Sequence, residues 1–363
     1  MYTDEAVMNE LMGIENRNGS LLENKINQMG GSAKSLRGVI IAEGKTGDGY
    51  GSHNGNVIGV DLHKIISMIE SGSMPIVSPL GFSPCLNKFY NINAATVGAY
   101  LAKELDTLKC ILVNSKGGVL RNSELPNGNG NIIQEIVLDR DYDRLVEERI
   151  IYGGMKKNVD EAMYCLNPSF RPNGDDRNVQ IVGPYNLLKE LFTKKGAGTL
   201  IRNGYRIYDP KHIGSVNQNA IRQIIESGFR QRISPAFFDE NKIVFMEENL
   251  KGVAVVIPNA DGLGPYLDVI TVDELYRRNG MGDDFIYKIM KWQSSSSPTL
   301  FLRSKIERNA NSWYNEISDG RVKFVAKSDG QVYNLYWIGL GIDKIEKALN
   351  YVENRYMNFE PRK

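Results

Sequence analysis

The sequence is poor in histidine and cysteine, the side chains that most often bind transition metals. Its 363 residues include only three of each, at His53, His63, His212, Cys85, Cys110 and Cys165. No two cysteines have the CxxC spacing of a zinc site, and three cysteines cannot all pair with one another. We therefore expect no metal site and a reducing compartment.

The chain also lacks long apolar runs and an excess of charge of either sign. No apolar stretch approaches the roughly 18 residues that span a bilayer, and the formal net charge is +1. A balanced charge gives no overall attraction to nucleic acid or to anionic membranes. The acidic start MYTDEAVMNELMG is neither a signal peptide nor an arginine-rich transit peptide. Small-molecule partners are therefore expected, with no nucleic acid and no membrane.

The first half of the chain alternates helical and strand-like segments. Helical periodicity occurs at residues 5–13, 20–29 and 61–71, and short apolar runs bounded by Gly, Pro and Asn occur at residues 75–78, 110–113 and 179–182. This alternation predicts an α/β domain with a mostly parallel sheet and helices on both faces.

The second half has a different pattern, in which strands follow one another with few helices. A helix with Ile221, Ile225 and Phe229 on one face precedes the strand-like runs KIVFM, GVAVVI, YLDVITV, LFLRS, RVKFVA and NLYWIGL. An amphipathic helix at residues 342–352 closes the pattern, which is typical of an α+β domain. The stretch YDPKHIGSVNQ, with Pro210 and Gly214 as breakers, separates the two patterns as a plausible linker. We therefore predict a first domain over residues 1–209 and a second over residues 210–363.

The stretch YNINAATVGAYLAKEL, residues 90–105, places two asparagines directly before a helix. Asn91 and Asn93 precede an apolar face that includes Val97, Leu101 and Leu105. The free N–H groups at a helix start favour an anion, yet an asparagine there is also an ordinary helix cap. These residues alone leave both interpretations open.

A glycine-rich turn follows the predicted strand YLDVITV and precedes a predicted helix. It reads Arg277-x-x-Gly280-x-Gly282, and the helix after it carries Phe285 and Ile286. Glycines at such a turn let a phosphate group approach the backbone, and the helix start supplies N–H donors. The turn resembles the pyrophosphate loop of GCN5-related N-acetyltransferases. The alternative is a glycine-rich turn that only caps a surface helix.

Further blocks strengthen this resemblance. YLDVITV, LFLRSKIERNANSWYNEISDG and LYWIGL occur in the order and at the spacing of the acetyltransferase domain of N-acetylglutamate synthases. The resemblance covers residues 218–356. It implies a GCN5-related N-acetyltransferase fold that uses acetyl-CoA.

The first half resembles N-acetylglutamate kinase, which has the amino-acid kinase fold. The blocks that carry this resemblance are YNINAATVGAYLAKEL, ILVNSKGGVL, LDRDYDRLVEERIIYGGMKK and NLLKELFTKKGAGTLIRNGYRI. VNSKGG and GAGTLIRNGY are most similar to the eukaryotic mitochondrial enzymes, whose kinase domain precedes an acetyltransferase-like domain. The resemblance implies an amino-acid-kinase-like parallel sheet domain that is truncated at its N-terminus, because the family's first strand and glycine loops would lie upstream. The acetyltransferase domain follows it.

The same resemblance implies roles for individual residues of the acetyltransferase half. Tyr314 would protonate the leaving thiolate or, alternatively, serve as a core aromatic residue. The substrate-binding candidates are Arg303, Lys305 and Asn311, with a surface ion pair as the alternative for Arg303. The candidates for binding acetyl-CoA are Ile270 and Val272, through backbone N–H groups, and the turn residues Arg277, Arg278, Asn279, Gly280, Met281, Gly282 and Asp283.

Departures from the family's motifs argue against kinase activity. A remnant of the kinase site is expected at Asn91, Asn93, Asn114 and Lys116. The family's aspartate after the asparagine motif is Ala95 here, and a family lysine is Asn158. Phosphoryl transfer depends on positioning and charge neutralisation, and each lost electrostatic group costs roughly 10²–10³-fold in rate. ATP and Mg²⁺ are therefore expected only if the chain acts as a kinase.

In the acetyltransferase half, the departures affect the glutamate site more than the CoA site. The family's lysine in the YLD block is Val269 here, and Lys305 replaces a second arginine. The glycine turn is intact.

The leading hypothesis is an arginine-biosynthesis enzyme that transfers acetyl from acetyl-CoA to the amine of L-glutamate. The alternatives are an acetylglutamate kinase and a non-catalytic partner that binds CoA or arginine and regulates a full-length paralogue. The resemblance implies glutamate, N-acetylglutamate and, as a regulator, arginine as ligands, and a homo-oligomer or a complex with a paralogue. It also implies a mitochondrial location, because relatives act there; otherwise the chain would be cytoplasmic.

Overall fold

The computed structural model describes residues 2–47, 51–122, 124–125, 130–167, 177–192 and 197–360. The chain divides into two compact units, Met1–Asn203 and Gly204–Lys363. The second unit begins six residues before the domain start predicted at residue 210. Each unit has its own sheets and hydrophobic clusters.

The first unit alternates helices and strands. Its described helices are α1 (Glu5–Gln28), α2 (Leu62–Glu70), α3 (Ala94–Glu104), α4 (Leu138–Glu147), α5 (Gly153–Cys165) and α6 (Leu187–Phe192). Its described strands are β1 (Ala33–Leu36), β2 (Ile40–Gly44), β3 (Gly55–Val60), β4 (Met74–Val77), β5 (Leu80–Ser83), β6 (Lys88–Asn91), β7 (Lys109–Val113), β8 (Glu135–Val137), β9 (Asn178–Val182) and β10 (Thr199–Arg202). The apolar runs predicted as strands are confirmed in β4, β7 and β9.

The described strands of the first unit form one parallel two-stranded sheet and two mixed four-stranded sheets. Their orders are β1-β4, β3-β2-β5-β6 and β7-β9-β10-β8. Each parallel pair, such as β7–β9 or β2–β5, has a helix in its connection, as the alternation predicts. The sheets are not uniformly parallel, because β2–β3 and β5–β6 are antiparallel hairpins.

Helix α1 is longer than the periodicity predicts. The sequence predicts separate helices at residues 5–13 and 20–29, whereas the structure has one helix of 24 residues. A Cβ added at Gly19, inside this helix, would lie 3.0 Å from Ser35 Oγ, so the glycine allows α1 to pack closely on β1. The predicted break was wrong because this packing outweighs the low helix propensity of glycine.

The second unit is built on one seven-stranded sheet of order β11-β12-β13-β14-β15-β17-β16. Its strands are β11 (Lys211–His212), β12 (Ile243–Met246), β13 (Gly252–Ile257), β14 (Tyr266–Val272), β15 (Leu300–Lys305), β16 (Gly320–Val325) and β17 (Val332–Ile338). Its helices are α7 (Gln218–Phe229), α8 (Met281–Trp292), α9 (Asn311–Ile317) and α10 (Ile345–Glu353). All predicted strands of this half are confirmed, and α9 is an addition that the sequence did not predict.

Helices cover the seven-stranded sheet on both faces. On one face, a cluster that includes Leu267 and Phe285 packs α8 and α9 against β14. On the other face, Tyr266 belongs to a cluster with residues of α10, and Val269 to a cluster with residues of α7. This layering buries the sheet and leaves the ends of β14 and β15 to form a site.

Candidate active site

Strands β14 and β15 are parallel, but they remain paired over only a short distance. The paired residues are Tyr266 with Phe301 and Leu267 with Leu302. Beyond this point β14 continues to Val272 and β15 continues to Lys305, without pairing to each other. The sheet therefore opens between two of its central strands.

A β-bulge occurs where the two strands separate. On β13, Val255 and Val256 pair with Val269 and Leu267, so that Asp268 is the extra residue. A bulge reverses which residues face each side of a sheet. Leu267 faces the α8 cluster before the bulge, and Ile270 faces it afterwards.

The same bulge sets the direction of the backbone groups of β14. The N–H of Asp273 donates to the carbonyl of Lys251 at 2.7 Å, next to β13. Because antiparallel ladders alternate with a period of two residues, Thr271 and Val269 also bond toward β13. The backbone groups of Ile270 and Val272 are therefore directed to the open side, and their role as N–H donors to acetyl-CoA stays a prediction.

The predicted glycine turn begins directly after β14 and leads into α8. Arg277 holds the turn in place, because its Nε donates to the Val272 carbonyl at 3.1 Å and its Nη2 to the Gly228 carbonyl at 3.2 Å. Arg278 and Gly280 both have left-handed backbone angles, with φ of 63° and 82°. Arg278 is exposed, and Asn279 is partly buried.

The first turn of α8 supplies backbone N–H donors. The first helical bond runs from Asp284 N to Gly280 O at 3.1 Å. The N–H groups of Met281, Gly282 and Asp283 precede it and have no acceptor within the helix. Such a helix start suits a phosphate group.

Trp313 of α9 packs on this helix start. Its indole Nε1 donates to the Asp283 carboxylate at 2.7 Å. A Cβ added at Gly282 would lie 2.9 Å from Cζ2 of the indole ring. The indole ring of Trp313 therefore occupies the space that a side chain at Gly282 would need.

Tyr314, the predicted proton donor, is buried beside Trp313. Its ring centroid lies 4.9 Å from that of Trp313 and 5.4 Å from that of Tyr336. Burial raises the pKa of the Tyr314 phenol above its ordinary value of 10.0, so the group stays protonated at neutral pH. Both predicted roles, proton donor and core aromatic residue, stay predictions.

Arg303, a predicted substrate-binding residue, contacts the C-terminal segment (residues 354–360) and the end of α10. Its guanidinium donates to the carbonyls of Val352, Arg355 and Tyr356 at 2.9, 3.0 and 2.7 Å. The carbonyls at a helix C-terminus carry partial negative charge and attract cations. Arg303 therefore caps the C-terminal end of α10 in the structure, and its role in substrate binding stays a prediction.

The other two substrate-binding candidates lie near the end of β15. Lys305 is 3.2 Å from the Asp329 carboxylate. The amide nitrogen of Asn311 donates to the carbonyls of Lys305 and Ile306, both at 2.8 Å. The Asn311 Oδ1 is buried and has no hydrogen-bond partner among the described residues.

The kinase-site candidates of the first unit have structural contacts. Asn91 donates to the buried hydroxyl of Thr3 at 3.0 Å. Asn93 caps α3 by accepting from the N–H groups of Ala95 and Thr96, which supports the cap interpretation of the sequence analysis. The Ala95 methyl packs against the core.

The second pair of kinase-site candidates lies in the turn after β7. Asn114 Oδ1 accepts from the N–H of Lys116 at 2.8 Å, and the Lys116 side chain is exposed. Lys156, two residues before Asn158, forms a salt bridge of 2.8 Å with Asp160. Among the described residues, no group of His, Cys, Asp and Glu could hold a metal ion.

Sequence reasoning missed a buried ionic cluster beside the bulge. The side chains of Lys242 and Asp268 are both fully buried, with 2.7 Å between Nζ and Oδ2. Lys242 also lies 3.0 Å from Glu240, which in turn binds Arg355 at 2.8 Å. An aspartate inside the apolar strand YLDVITV is the signal that could have indicated it, although the strand alone does not identify the partners.

The chain matches two protein families in tandem. Residues 3–169 match the amino acid kinase family, and residues 208–355 match NAT, the N-acetyltransferase of N-acetylglutamate synthase. In the described part of the chain, no helix is long and apolar enough to cross a membrane.

Similar proteins are named either acetylglutamate kinase or N-acetylglutamate synthase. The acetylglutamate kinase of Xanthomonas campestris pv. campestris is 30% identical over 338 residues, which cover 91% of this chain and 74% of that protein. Mouse N-acetylglutamate synthase, mitochondrial, is 24% identical over 295 residues, which cover 79% of this chain and 51% of that protein. The chain spans 63% of the length of the similar acetylglutamate kinases of Xylella fastidiosa.

A solved structure has the same fold. N-acetylglutamate synthase from Neisseria gonorrhoeae, complexed with coenzyme A and N-acetyl-glutamate, superposes with a TM-score of 0.55 at 18% identity. The alignment covers 93% of this chain and 80% of that one.

Proposed function

The chain belongs to the family of acetylglutamate kinases and N-acetylglutamate synthases, in which an amino acid kinase domain precedes an N-acetyltransferase domain, and we propose that it transfers acetyl from acetyl-CoA to the amine of L-glutamate. The observation that carries this proposal is the opening between β14 and β15. It adjoins a glycine turn whose helix start presents unpaired N–H groups.

The residues of the turn fit the anionic end of acetyl-CoA. The N–H groups of Met281, Gly282 and Asp283 supply donors for a phosphate, and Gly280 lets the backbone turn sharply into α8. The Asp283 carboxylate would oppose an anion, but its hydrogen bond to Trp313 holds it toward α9. Arg278 is exposed on the same turn and adds positive charge.

The open edge of β14 fits the reacting end. Acetyl-CoA, when bound, supplies an activated thioester. The N–H of Ile270 is directed into the opening and would donate to the oxygen on which negative charge develops, an interaction worth roughly 10²-fold or more in rate. Tyr314 is kept protonated by burial and would donate its phenolic proton to the departing sulfur.

Glutamate is proposed as the acceptor on family membership, with fewer supporting residues. Val269, which replaces the family's lysine, is buried in the α7 cluster. The candidates for the substrate are Arg303, Lys305 beside Asp329, and Asn311, whose amide oxygen has no hydrogen-bond partner among the described residues.

Acetyl transfer is tested by incubating the protein with acetyl-CoA and L-glutamate and measuring free CoA and N-acetylglutamate. We expect saturable turnover that Gly280→Glu greatly weakens, because the added side chain is strained at a φ of 82° and would fill the proposed anion site. Gly330→Glu is the matched control, because Gly330 also has a positive φ, of 66°, and has open space around it. Intact CoA binding without any turnover would contradict the proposal.

Acetylglutamate kinase activity is the second candidate, favoured by the names of bacterial relatives such as those of Xylella fastidiosa and Xanthomonas campestris pv. campestris. Against it, Ala95 packs an apolar methyl where the family has a carboxylate, and Asn93 is used as a helix cap. We expect no phosphoryl transfer from ATP to N-acetylglutamate. Transfer by the wild-type protein, made stronger by Ala95→Asp, would establish the kinase alternative.

The proposed ligands also include N-acetylglutamate and, as a regulator, arginine. A homo-oligomer or a complex with a paralogue is proposed from family membership. Absence of both activities, together with copurification of a full-length paralogue, would favour the non-catalytic regulatory role. A mitochondrial location is proposed because relatives are named as mitochondrial.

A further inference from the structure

The C-terminal segment reaches both strands at the point where they separate. On β14, the Asn358 amide donates to Asp268 Oδ1 at 2.9 Å and to the Asp268 carbonyl at 3.3 Å. On β15, the Arg303 guanidinium donates to the carbonyls of Arg355 and Tyr356. Asp268 is the bulge residue and Arg303 directly follows the last paired residue of β15. The same segment is thus bound to both sides of the opening.

Ionic contacts hold the segment at the bulge. The Arg355 side chain is 6% exposed and lies 3.4 Å from Asp268 and 2.8 Å from Glu240. Lys242 completes the cluster from the other side, and its ammonium also lies 3.6 Å from the centroid of the Phe237 ring. Two positive and two negative groups balance, so removing any one of them alone leaves an uncompensated buried charge.

We propose that Asp268 and Arg355 are positioning residues, which hold the bulge of β14 so that the Ile270 N–H faces the reacting thioester. The proposal rests on the acetyltransferase function proposed above. Asp268 precedes Ile270 by two residues, and within the described part of the chain its carboxylate contacts Lys242, Arg355 and Asn358, none of which belongs to the glycine turn. Its effect on the reaction is therefore exerted through the backbone.

The alternative is that the cluster only stabilises the fold. Removing one member of a buried ion pair destabilises a protein, whereas replacing both members by apolar residues is often neutral or stabilising. The double variant Lys242→Met/Asp268→Leu therefore separates stability from positioning. Asp261→Asn/Lys347→Met is the matched control, because this pair lies in the same unit at 3.5 Å and is about half exposed.

The experiment combines three measurements on the full chain. Hydrogen exchange reports local opening of the backbone at residues 268–272, calorimetry reports CoA affinity, and steady-state kinetics report kcat and KM. For the double variant we expect a thermal midpoint close to that of the wild type, CoA affinity within about threefold, exchange at least about tenfold faster and kcat lower by at least about tenfold. The control variant should match the wild type in every measurement.

The outcomes separate this proposal from the proposed function. Wild-type exchange and wild-type kcat in the double variant would overturn the positioning roles. A wild-type protein without acetyl transfer would contradict the proposed function, while the exchange measurement would still decide whether the cluster holds the bulge. If the double variant does not fold, Asn358→Ala removes only the amide contact, and unchanged exchange in that variant overturns the proposal as well.

Discussion

The indole N–H of Trp313 donates a hydrogen bond to the Asp283 carboxylate, 2.7 Å away. This bond joins α9 to the first turn of α8, between residues that are 30 positions apart in the chain. The same α9 carries Tyr314. The proposed anion site and the proposed proton donor are therefore coupled through one tryptophan.

Trp313→Phe is expected to keep the aromatic packing and lose the hydrogen bond. A hydrogen bond to a charged group contributes about 1.5–3 kcal/mol, and partial exposure places this one at the low end. The Asp283 carboxylate, no longer held toward α9, would then repel an anion, so we expect CoA affinity to fall about threefold to tenfold. Calorimetric titration with CoA measures this, and Trp337→Phe, whose ring lies over Gly320, is the control. Equal CoA affinity in both variants would contradict the coupling.

Gly282→Ala is expected to displace Trp313. The added Cβ would lie 2.9 Å from the indole ring, closer than side chains normally approach. We expect CoA affinity to fall more than in Trp313→Phe, with a loss of stability of about 1–3 kcal/mol from overpacking. Gly154→Ala is the control, because Gly154 also begins a helix and has nothing within 4 Å. Denaturant unfolding and CoA titration are the measurements.

Tyr314→Phe is expected to lower kcat and leave CoA affinity unchanged. General acid catalysis contributes roughly 10²–10⁴-fold, so a loss of that size would establish the proton donor. A change below about threefold would leave Tyr314 as a core aromatic residue.

The raised pKa of Tyr314 also predicts a pH dependence of stability. Burial raises the folded-state pKa above 10.0, so the contribution to stability is fully present below pH 10 and is lost as pH rises through the folded-state value. Tyr314→Phe should therefore lose less stability than the wild type between neutral pH and strongly alkaline pH. Thermal unfolding across that range measures the difference.

The lowered pKa of Glu240 predicts a loss of stability at acid pH. Burial raises the pKa of this carboxyl, but its bonds to Arg355, Tyr356 and Lys242 outweigh burial and lower the pKa from 4.5 to about 2. Its contribution to stability is present above pH 4.5 and is lost as pH falls toward 2. The free energy of unfolding of Glu240→Gln should therefore depend less on pH in this window, although the variant is less stable near neutrality. A wild-type acid profile in Glu240→Gln would show that the cluster does not govern acid stability.

In the first unit, Thr3→Val should destabilise the N-terminal end. The buried hydroxyl of Thr3 accepts from the Asn91 and Asn54 amides at 3.0 and 3.4 Å. Loss of a buried acceptor costs about 1–3 kcal/mol. Thr107→Val, which loses a single bond of 3.3 Å to the Ala102 carbonyl, should cost less. Urea unfolding of the two variants compares them.

The sequence predicted elements whose signals are local. β14 was predicted because YLDVITV is apolar and β-branched, and the turn at Gly280 because strand, glycines and helix follow directly. α9 was missed because its seven residues lack a full apolar period.

Contacts between distant residues were not predictable in the same way. The sequence singled out Arg303 as an arginine on an apolar strand, but its partners lie 49 to 53 residues further along the chain. In the sequence, Asp268 is a single polar residue within an apolar strand, and only the fold places Lys242 and Arg355 beside it. A single sequence gives the residue that needs a partner without indicating which residue supplies it.

The contact of Asn358 with Asp268 has a consequence during synthesis. The two residues are 90 positions apart, and at roughly 5–20 residues per second the ribosome needs about 5–20 seconds to make the chain between them. During that interval β14 can pair with β13, but Asp268 lacks its amide partner and Arg355. On the proposed role of the cluster, the geometry of β14 is therefore incomplete when the strand first folds, and we expect it to be completed only after the residues that bind the bulge have emerged.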